Sequence, residues 1–384
     1  MPAARNLKLI TPYLVFSIEG VTHGLYLFWL TVHRGISPVA ATIALAAGDL
    51  ALLVLDVPAG VFADRLGARR SLLAGSACQV VGLALFWQAR SFVAVMIAAL
   101  AIALGDAFRH GADQALVYRS CAALGRAHGF GRFFARAQAW ALAASVGLTA
   151  LGGVLAERVG FDAAWALEVA LSVAGLGLAW AMVDLPPMAD EPTDEEDGAA
   201  PFAGLAARLP WSILVPATIV GTLGSIAQLL VQTTPRAGHG AQMVAAVIAG
   251  ALLLEALGAE LVARGVVPIH ARALDAIGLA AIVGLAGIVI SPGMVLPCLV
   301  LIFLGTGMAP AIRGALVQAT AREGERATVA SAAGTLDMLA QTASLPLAAW
   351  LNGHLPLAGT AAALGAAGLV ALGAAARRRR SSPR

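Results

Sequence analysis

The chain has little charge, little cysteine and almost no lysine. Of its 384 residues only 12% are Asp, Glu, Lys or Arg while 59% are hydrophobic, above the roughly 45–50% apolar share of soluble domains. That balance, with a mean hydropathy of +0.83, excludes an ordinary soluble fold and requires lipid as solvent. The three cysteines, Cys78, Cys121 and Cys298, stand apart with no C-x-x-C or Cys/His spacing. Neither a disulfide framework nor a metal site follows from them, and small apolar packing residues do. Lysine occurs once, at Lys8, so arginine supplies the other 24 of the 25 basic residues behind the net charge of +3. Those arginines report topology and not nucleic-acid binding. Alternating segments of about ten residues, the mark of a membrane β-barrel, are missing as well.

What is present is a series of apolar runs of about 20 residues, the length that crosses a hydrocarbon core. Cutting at charged and Pro/Gly-rich breaks gives twelve: 10–32, 38–63, 71–88, 92–118, 133–156, 163–183, 211–233, 243–262, 273–290, 294–313, 329–351 and 356–375. Glycine and alanine are abundant in them, which suits close helix packing in lipid. Residues 1–9 are too short for a cleaved leader apart from the first run, so that run is expected to remain in the mature protein. The expected fold is all-α, with twelve transmembrane helices in two pseudo-symmetric six-helix bundles, 1–184 and 211–376. Between them lies a cytoplasmic linker, 185–210, with Pro186, Pro187, Pro192, Pro201 and an acidic run over 190–197; a basic tail, 377–384, closes the chain.

Cytoplasmic loops hold excess Lys and Arg. With both termini inside, 20 of the 25 basic residues fall on the cytoplasmic side, and only Arg34, Arg90, Arg158 and Arg236 outside. Arg109 lies within a span. The halves echo one another at an offset of about 200 residues: Ala115-Leu116-Val117 with Ala315-Leu316-Val317, Arg126 with Arg326, Gly153 with Gly353, and more weakly Gly60 and Arg65 with Gly258 and Arg264. Same-direction repeats with a site between them are a transporter architecture.

One stretch is sharper than the rest. Residues 60–70 read G-V-F-A-D-R-L-G-A-R-R between the second and third runs. Gly60-x-x-x-Asp64-Arg65-Leu66-Gly67-Ala68-Arg69-Arg70 resembles the signature joining helices 2 and 3 of the major facilitator superfamily, departing from it at Ala68. The likeness extends over the whole chain through its length, spans and acidic linker. It implies a gating role for Gly60, Asp64, Arg65, Gly67, Arg69 and Arg119, with Asp64 latching onto Arg119 and the segment near Thr328. Topology anchoring alone is the plainer alternative. Gly152-Gly153 resembles the tail of the family's antiporter signature, but Leu148 and Thr149 stand where Gly-Pro is expected, which favours an uptake permease as the second reading.

Ionisable groups at bilayer depth are costly and usually functional. In the fourth run Asp106, Arg109, His110 and Asp113 fall at i, i+3, i+4 and i+7, one face of a continuous helix. In the first, Glu19, His23 and Tyr26 repeat the pattern, and Asp49 sits within the second. The later half offers Ser225, Gln228 and Gln232, then Glu255, then Asp337, Gln341 and Ser344. The resemblance places these on cavity-lining helices; Glu168, in the sixth run, receives no role. We read Glu19, Arg109, Asp49 and Asp106 as the proton-coupling set, with Glu19 the carrier beside Arg109. A permanent Glu19–Arg109 salt bridge is the structural alternative. His23, Tyr26, His110, Trp140, Gln228, Gln232, Glu255, Asp337 and Gln341 are expected to line the substrate cavity; Trp29 and Phe108 are assigned to packing.

Deep acids (Glu19, Asp49, Asp106, Asp113, Glu255, Asp337) outnumber the one deep cation, Arg109, which suits protons and cationic or neutral amphipathic solutes. The expectation is a proton-coupled secondary transporter, acting as a monomer in a bacterial inner membrane and favouring efflux. It would use no cofactor, metal or nucleic acid. H-E-x-x-H and G-x-S-x-G are both absent, so a membrane hydrolase is not supported. A transport-inactive sensor on the same scaffold would normally add a soluble domain.

Overall fold

In the computed structural model of the chain, residues 2–185, 209–233, 240–290, 294–320 and 326–381 are described, apart from the side chains of a few helical positions, Asp64 and Thr328 among them. Among these residues every regular element is helical. In order they are α1 (Pro2–Ser17), the single turn α2 (Tyr26–Phe28) running into a π-helical turn (Trp29–His33), α3 (Pro38–Leu66), α4 (Ala68–Gln88), α5 (Phe92–Arg109), α6 (Ala112–Ala123), α7 (Phe130–Arg158) and α8 (Phe161–Ala181). Then follow α9 (Trp211–Thr233), α10 (Ala241–Ala263), α11 (Ala271–Ile290), α12 (Val295–Thr320), α13 (Arg326–His354) and α14 (Leu357–Ser381).

Ten spans among the described residues are long and apolar enough to cross a membrane, α5 and α6 forming one of them. Two of the twelve expected runs do not qualify. The first is broken between α1 and α2, and α13 has the length but is diluted by Thr335, Asp337, Gln341, Thr342, Ser344 and Asn352. Starts are signposted locally. Ser37, before Pro38, accepts from Ala40 N–H at 3.2 Å, and Ser91 accepts from Ala94 N–H at 3.3 Å, the usual hydroxyl N-caps. At the other end, α14 carries the basic run through to Ser381, so the expected tail begins as helix.

The chain divides into two compact units: Met1–Pro192 with Pro235–Ala249, and Thr193–Thr234 with Gly250–Arg384. Most of the expected linker, residues 186–208, lies outside the described residues. In the first unit α1 runs through the core, where Ile10, Tyr13 and Leu14 pack with Leu72 of α4, Leu116 of α6, Ala141 of α7 and Ala179 of α8. Asn6, buried near the start of α1, donates to Val183 O at 2.8 Å and accepts from Val183 N–H at 2.9 Å, tying α1 to the end of α8. Helices α4 and α5 touch backbone to backbone. A Cβ on Gly75 would lie 2.7 Å from Gly105 O, so only glycine allows that approach. In the second unit Ile213 and Leu214 of α9, Leu274 of α11, Ile312 of α12 and Ala333 of α13 form the core.

Candidate functional site

The first apolar run is not one helix. α1 ends at Ser17 and helical structure resumes at Tyr26, leaving residues 18–25 without a regular ladder inside a run of membrane-spanning length. Every backbone polar group freed there costs several kcal/mol unless it finds a partner, and the partners come from four helices. Ser17 O accepts from Gln79 Nε2 of α4 at 2.9 Å and from Arg109 Nη1 of α5 at 2.8 Å. Gly20 O accepts from Thr149 Oγ1 of α7 at 2.8 Å. Thr22 N–H and its hydroxyl donate to Glu168 Oε2 of α8, at 2.7 and 3.1 Å. Within the break, tight turns serve Ile18 O, Glu19 O and Thr22 O.

α7 is shaped to receive this segment. A Cβ on Gly152 would collide with Val21 O, and one on Gly20 would come within 2.8 Å of Leu148 Cδ1. The departure from the antiporter signature therefore has a local meaning: Thr149 supplies the hydroxyl that the Gly20 carbonyl requires. Gly153 faces Ala245 in the first turns of α10, the part of that helix that belongs to the first unit.

Charge gathers around the break. Besides Ser17 O, the Arg109 guanidinium bonds Gln79 Oε1 and Asp106 Oδ1. The permanent Glu19–Arg109 salt bridge, the structural alternative, is not among the ion pairs of the described residues; Asp106, one turn back on the same helix, takes the guanidinium instead. Glu19 is half-buried, forms no ion pair among the described residues, and lies within the fields of Asp106, Glu168 and Arg109. Tyr26 feels both Glu19 and Asp49 and meets the His23 ring edge-on at 5.8 Å. Glu19, His23, Tyr26, Asp49, Asp106 and Arg109 thus stand around one feature, the break.

The continuous four-residue stripe expected in the fourth run does not survive. α5 ends at Arg109, and Gly111, with φ 76°, turns the backbone into the left-handed region before α6 begins, which most side chains avoid. Asp113 consequently sits in the first turn of α6, where its carboxylate accepts from Gln114 N–H at 2.7 Å. His110 is exposed and approaches Asp56 at 3.3 Å. Trp140 of α7 is 62% exposed and takes no part in the cluster.

In the second unit the polar residues pair among themselves. Asp337 receives Arg313 on one oxygen and the Thr218 hydroxyl on the other. Ser225 donates to Gln341 Oε1 at 2.8 Å, and Thr306 donates to Glu255 Oε1 at 3.1 Å. Gln228 is half-buried and Gln232 buried on α9. Arg313 is a second inward cation, so two of the acids counted as excess, Asp106 and Asp337, are matched.

The signature stretch is more helical than a loop. α3 continues through Leu66, only Gly67 is non-helical, and α4 starts at Ala68. Gly60 lies within α3 with open space around it, so it is not the tight-turn glycine. Gly67 is: its φ is 98°, and a Cβ there would stand 2.9 Å from Asp184 Oδ2. That carboxylate caps α4 by accepting from Arg69 N–H at 2.9 Å, while Arg69 Nη2 donates to Trp180 O at 2.8 Å. The stretch is therefore held to the end of α8. Arg65 and Arg70 are exposed and Arg119 is buried in α6. The expected latch of Asp64 near Thr328 falls on side chains outside the described residues.

Sequence reasoning missed Gln79, Thr149, Thr22, Glu168, Asp184 and Arg313 as parts of these sites. One signal was available for the break: Gly20 and Gly24 interrupt the first run, and glycine-interrupted spans mark binding sites in transporters.

Comparison with known proteins agrees with this architecture. The family model of the Major Facilitator Superfamily matches residues 13–345. The chain is similar in structure to the nucleoside transporter NupG, with TM-score 0.80, 13% identity and 100% of both chains covered. It is similar too to the POT family transporter PepTSo, with TM-score 0.70, 15% identity and coverage of 99% and 98%. A bacterial homolog of the human lysosomal transporter Spinster gives TM-score 0.66, 15% identity and coverage of 97% and 93%. At such identities the likeness is one of fold. No curated protein matches the sequence.

Proposed function

The chain belongs to the major facilitator superfamily, and from that premise we propose that it moves a small organic solute across a bacterial cytoplasmic membrane by proton-coupled alternating access. It is a multi-pass membrane transporter and not an enzyme. In this reading the two non-qualifying runs also span the membrane, giving twelve passes, six on each side of the linker, with both termini in the cytoplasm and a monomer as the working unit.

The observation that carries the proposal is the break in the first run. An irregular backbone at membrane depth is tolerated where it lines a cavity or a site, and here it presents Glu19, half-buried and without a salt-bridge partner among the described residues, next to the Arg109–Asp106 pair. Glu19 is the proton carrier in this scheme. Arg109 is anchored to Ser17 O and Gln79, so it acts as a fixed positive charge rather than a mobile partner. Glu255, bonded to a hydroxyl, and Glu19 leave the sites with uncompensated acid. That favours cationic or neutral amphipathic solutes and, with them, efflux.

A second reading, an uptake permease for a small metabolite, is favoured by Leu148 and Thr149 in place of Gly-Pro. The fold shared with a nucleoside transporter puts nucleosides among the solutes to test. A thermal-shift screen of the purified protein against organic cations, neutral amphiphiles, nucleosides and dicarboxylates at two pH values separates the readings. A ligand at about 100 times its Kd stabilises by about 2.7 kcal/mol. Stabilisation by cations or neutral amphiphiles that changes with pH is expected. Tight binding of a dianion with no cation competing contradicts the charge argument, and stabilisation by nothing in the panel favours the transport-inactive sensor.

A further inference from the structure

α8 carries Trp165, Glu168 and Ser172 at i, i+3 and i+7, all on its inward face, with exposures of 2%, 0% and 3%. Glu168 Oε2 is saturated by the two donors of Thr22. Its other oxygen, Oε1, has no hydrogen-bond partner among the described residues, and neither has Ser172 Oγ, one helical turn further on. Gly175, the next residue along the same face, lies against Phe16 O, so this face of α8 runs from the break at Thr22 to the last turn of α1. The indole N–H groups of Trp165 and Trp29, whose rings meet at 5.0 Å, are unpartnered too.

A carboxylate with no exposure, one open oxygen and no cation within ion-pair reach among the described residues is an expensive arrangement, since the uncompensated charge costs several kcal/mol. Two things relieve it, a proton or a bound cation. The groups around it decide between them. The break brings a second acid, Glu19, which lies within the field of Glu168. Arg109 and Asp106 of α5 act on Glu19, and Arg109 is already bonded to Asp106. The Val21 amide lies near the carboxylate without reaching hydrogen-bond geometry. A carboxylate buried away from water, with one oxygen open and no cation paired to it among the described residues, is relieved by holding a proton.

We propose that Glu168 and Ser172 form a second proton-holding site, in which Glu168 is protonated on Oε1 and bonds through a buried water to Ser172 Oγ. The O–H bond forms at Oε1 with a proton delivered by hydronium from bulk solvent, which leaves as water, and Oε2 stays with Thr22. Buried waters normally join polar groups that are otherwise unsatisfied. The site makes Glu168 the clasp of the broken helix, neutral while it holds Thr22, and sets a second protonatable acid beside Glu19. Only the role of Glu19 is borrowed from the proposed proton coupling; the proton on Glu168 requires no transport.

The test is infrared difference spectroscopy of the purified protein in lipid, scanned through neutral pH. The carboxylic-acid C=O band of wild type at neutral pH is expected to lose intensity in Glu168→Gln, to keep the Glu168 component in Glu19→Gln, and to shift in Ser172→Ala. Identical wild-type and Glu168→Gln spectra in that region, or loss of the whole band in Glu19→Gln, overturns the proposal. Should Glu168→Gln not fold, Ser172→Ala carries the test, and an unshifted band overturns it. The measurement uses neither solute nor gradient, so its failure and the failure of the transport reading are told apart.

Discussion

The first helical run of each unit solves the problem of lipid differently. In the first unit the run breaks for eight residues, between Ser17 and Tyr26, and side chains from α4, α5, α7 and α8 take over the hydrogen bonding that a helix would do for itself. In the second unit α9 runs unbroken from Trp211 to Thr233, and its polar side chains pair across to α13 through Thr218–Asp337 and Ser225–Gln341. The contrast shows where charge is needed. A broken backbone exposes carbonyl and amide groups that require Arg109, Gln79 and Glu168. A continuous helix satisfies nearly all of its own backbone: in α9 Pro216 frees Ser212 O, which accepts from Arg379 Nη2 at 2.6 Å, and the hydroxyls and amides are left for side-chain pairing.

Substitutions in the two units put this contrast to the test. The largest effect is expected at Gly152, where even Ala places a methyl group against Val21 O. Overpacking of that kind costs about 1–3 kcal/mol or more, and thermal unfolding of Gly152→Ala in detergent should fall well below wild type. At Gly353, the repeat counterpart of Gly153, an added methyl group would meet no atom within 4 Å. Gly353→Ala, in the last turn of α13, should hold or slightly raise stability, by less than the about 0.5–1 kcal/mol of a helix interior. Equal behaviour of the two variants in the same unfolding assay would remove the asymmetry.

Next is Gln79→Leu, which strips one donor from Ser17 O and one acceptor from Arg109; about 1–3 kcal/mol of stability should go, the penalty for leaving buried polar groups unpaired. Smaller, about 1 kcal/mol, is the loss expected for Asp184→Ala, which uncaps α4. Its melting temperature should drop by less than that of Gln79→Leu. Smallest is Ser225→Ala in the second unit. It removes one half-buried bond to Gln341, at about 0.5 kcal/mol, the low end for a neutral hydrogen bond whose remaining partner can find water. A drop as large as that of Gln79→Leu would show the second unit to be as tightly constrained as the first.

Much of the fold was legible because lipid imposes it. Among the described residues ten of the twelve runs correspond to helices long and apolar enough to span a membrane, and the signature at residues 60–70 pointed to the family whose model matches residues 13–345. The site was legible only in its charged members. Hydropathy averages over a window, so an apolar run reads alike whether it is helical or unwound, and Ile18, Val21 and Leu25 disguise the break. The groups that hold it, Gln79, Arg109, Thr149 and Glu168, lie from 62 to 146 residues away and leave no local pattern. Asp184 was hidden for the same reason. The stripe over Asp106, Arg109, His110 and Asp113 failed because helical spacing assumes an unbroken helix, and Gly111 was the residue that signalled otherwise.

Everything proposed about coupling turns on Glu19, presented by the broken first helix as the carrier of the proton. Proteoliposomes containing wild type or Glu19→Gln, assayed with the solute found in the screen, test that role most directly by comparing counterflow exchange with accumulation driven by a proton gradient. Glu19→Gln should keep counterflow and lose gradient-driven accumulation together with its pH dependence. Accumulation by Glu19→Gln at the wild-type rate, still dependent on pH, would contradict the assignment.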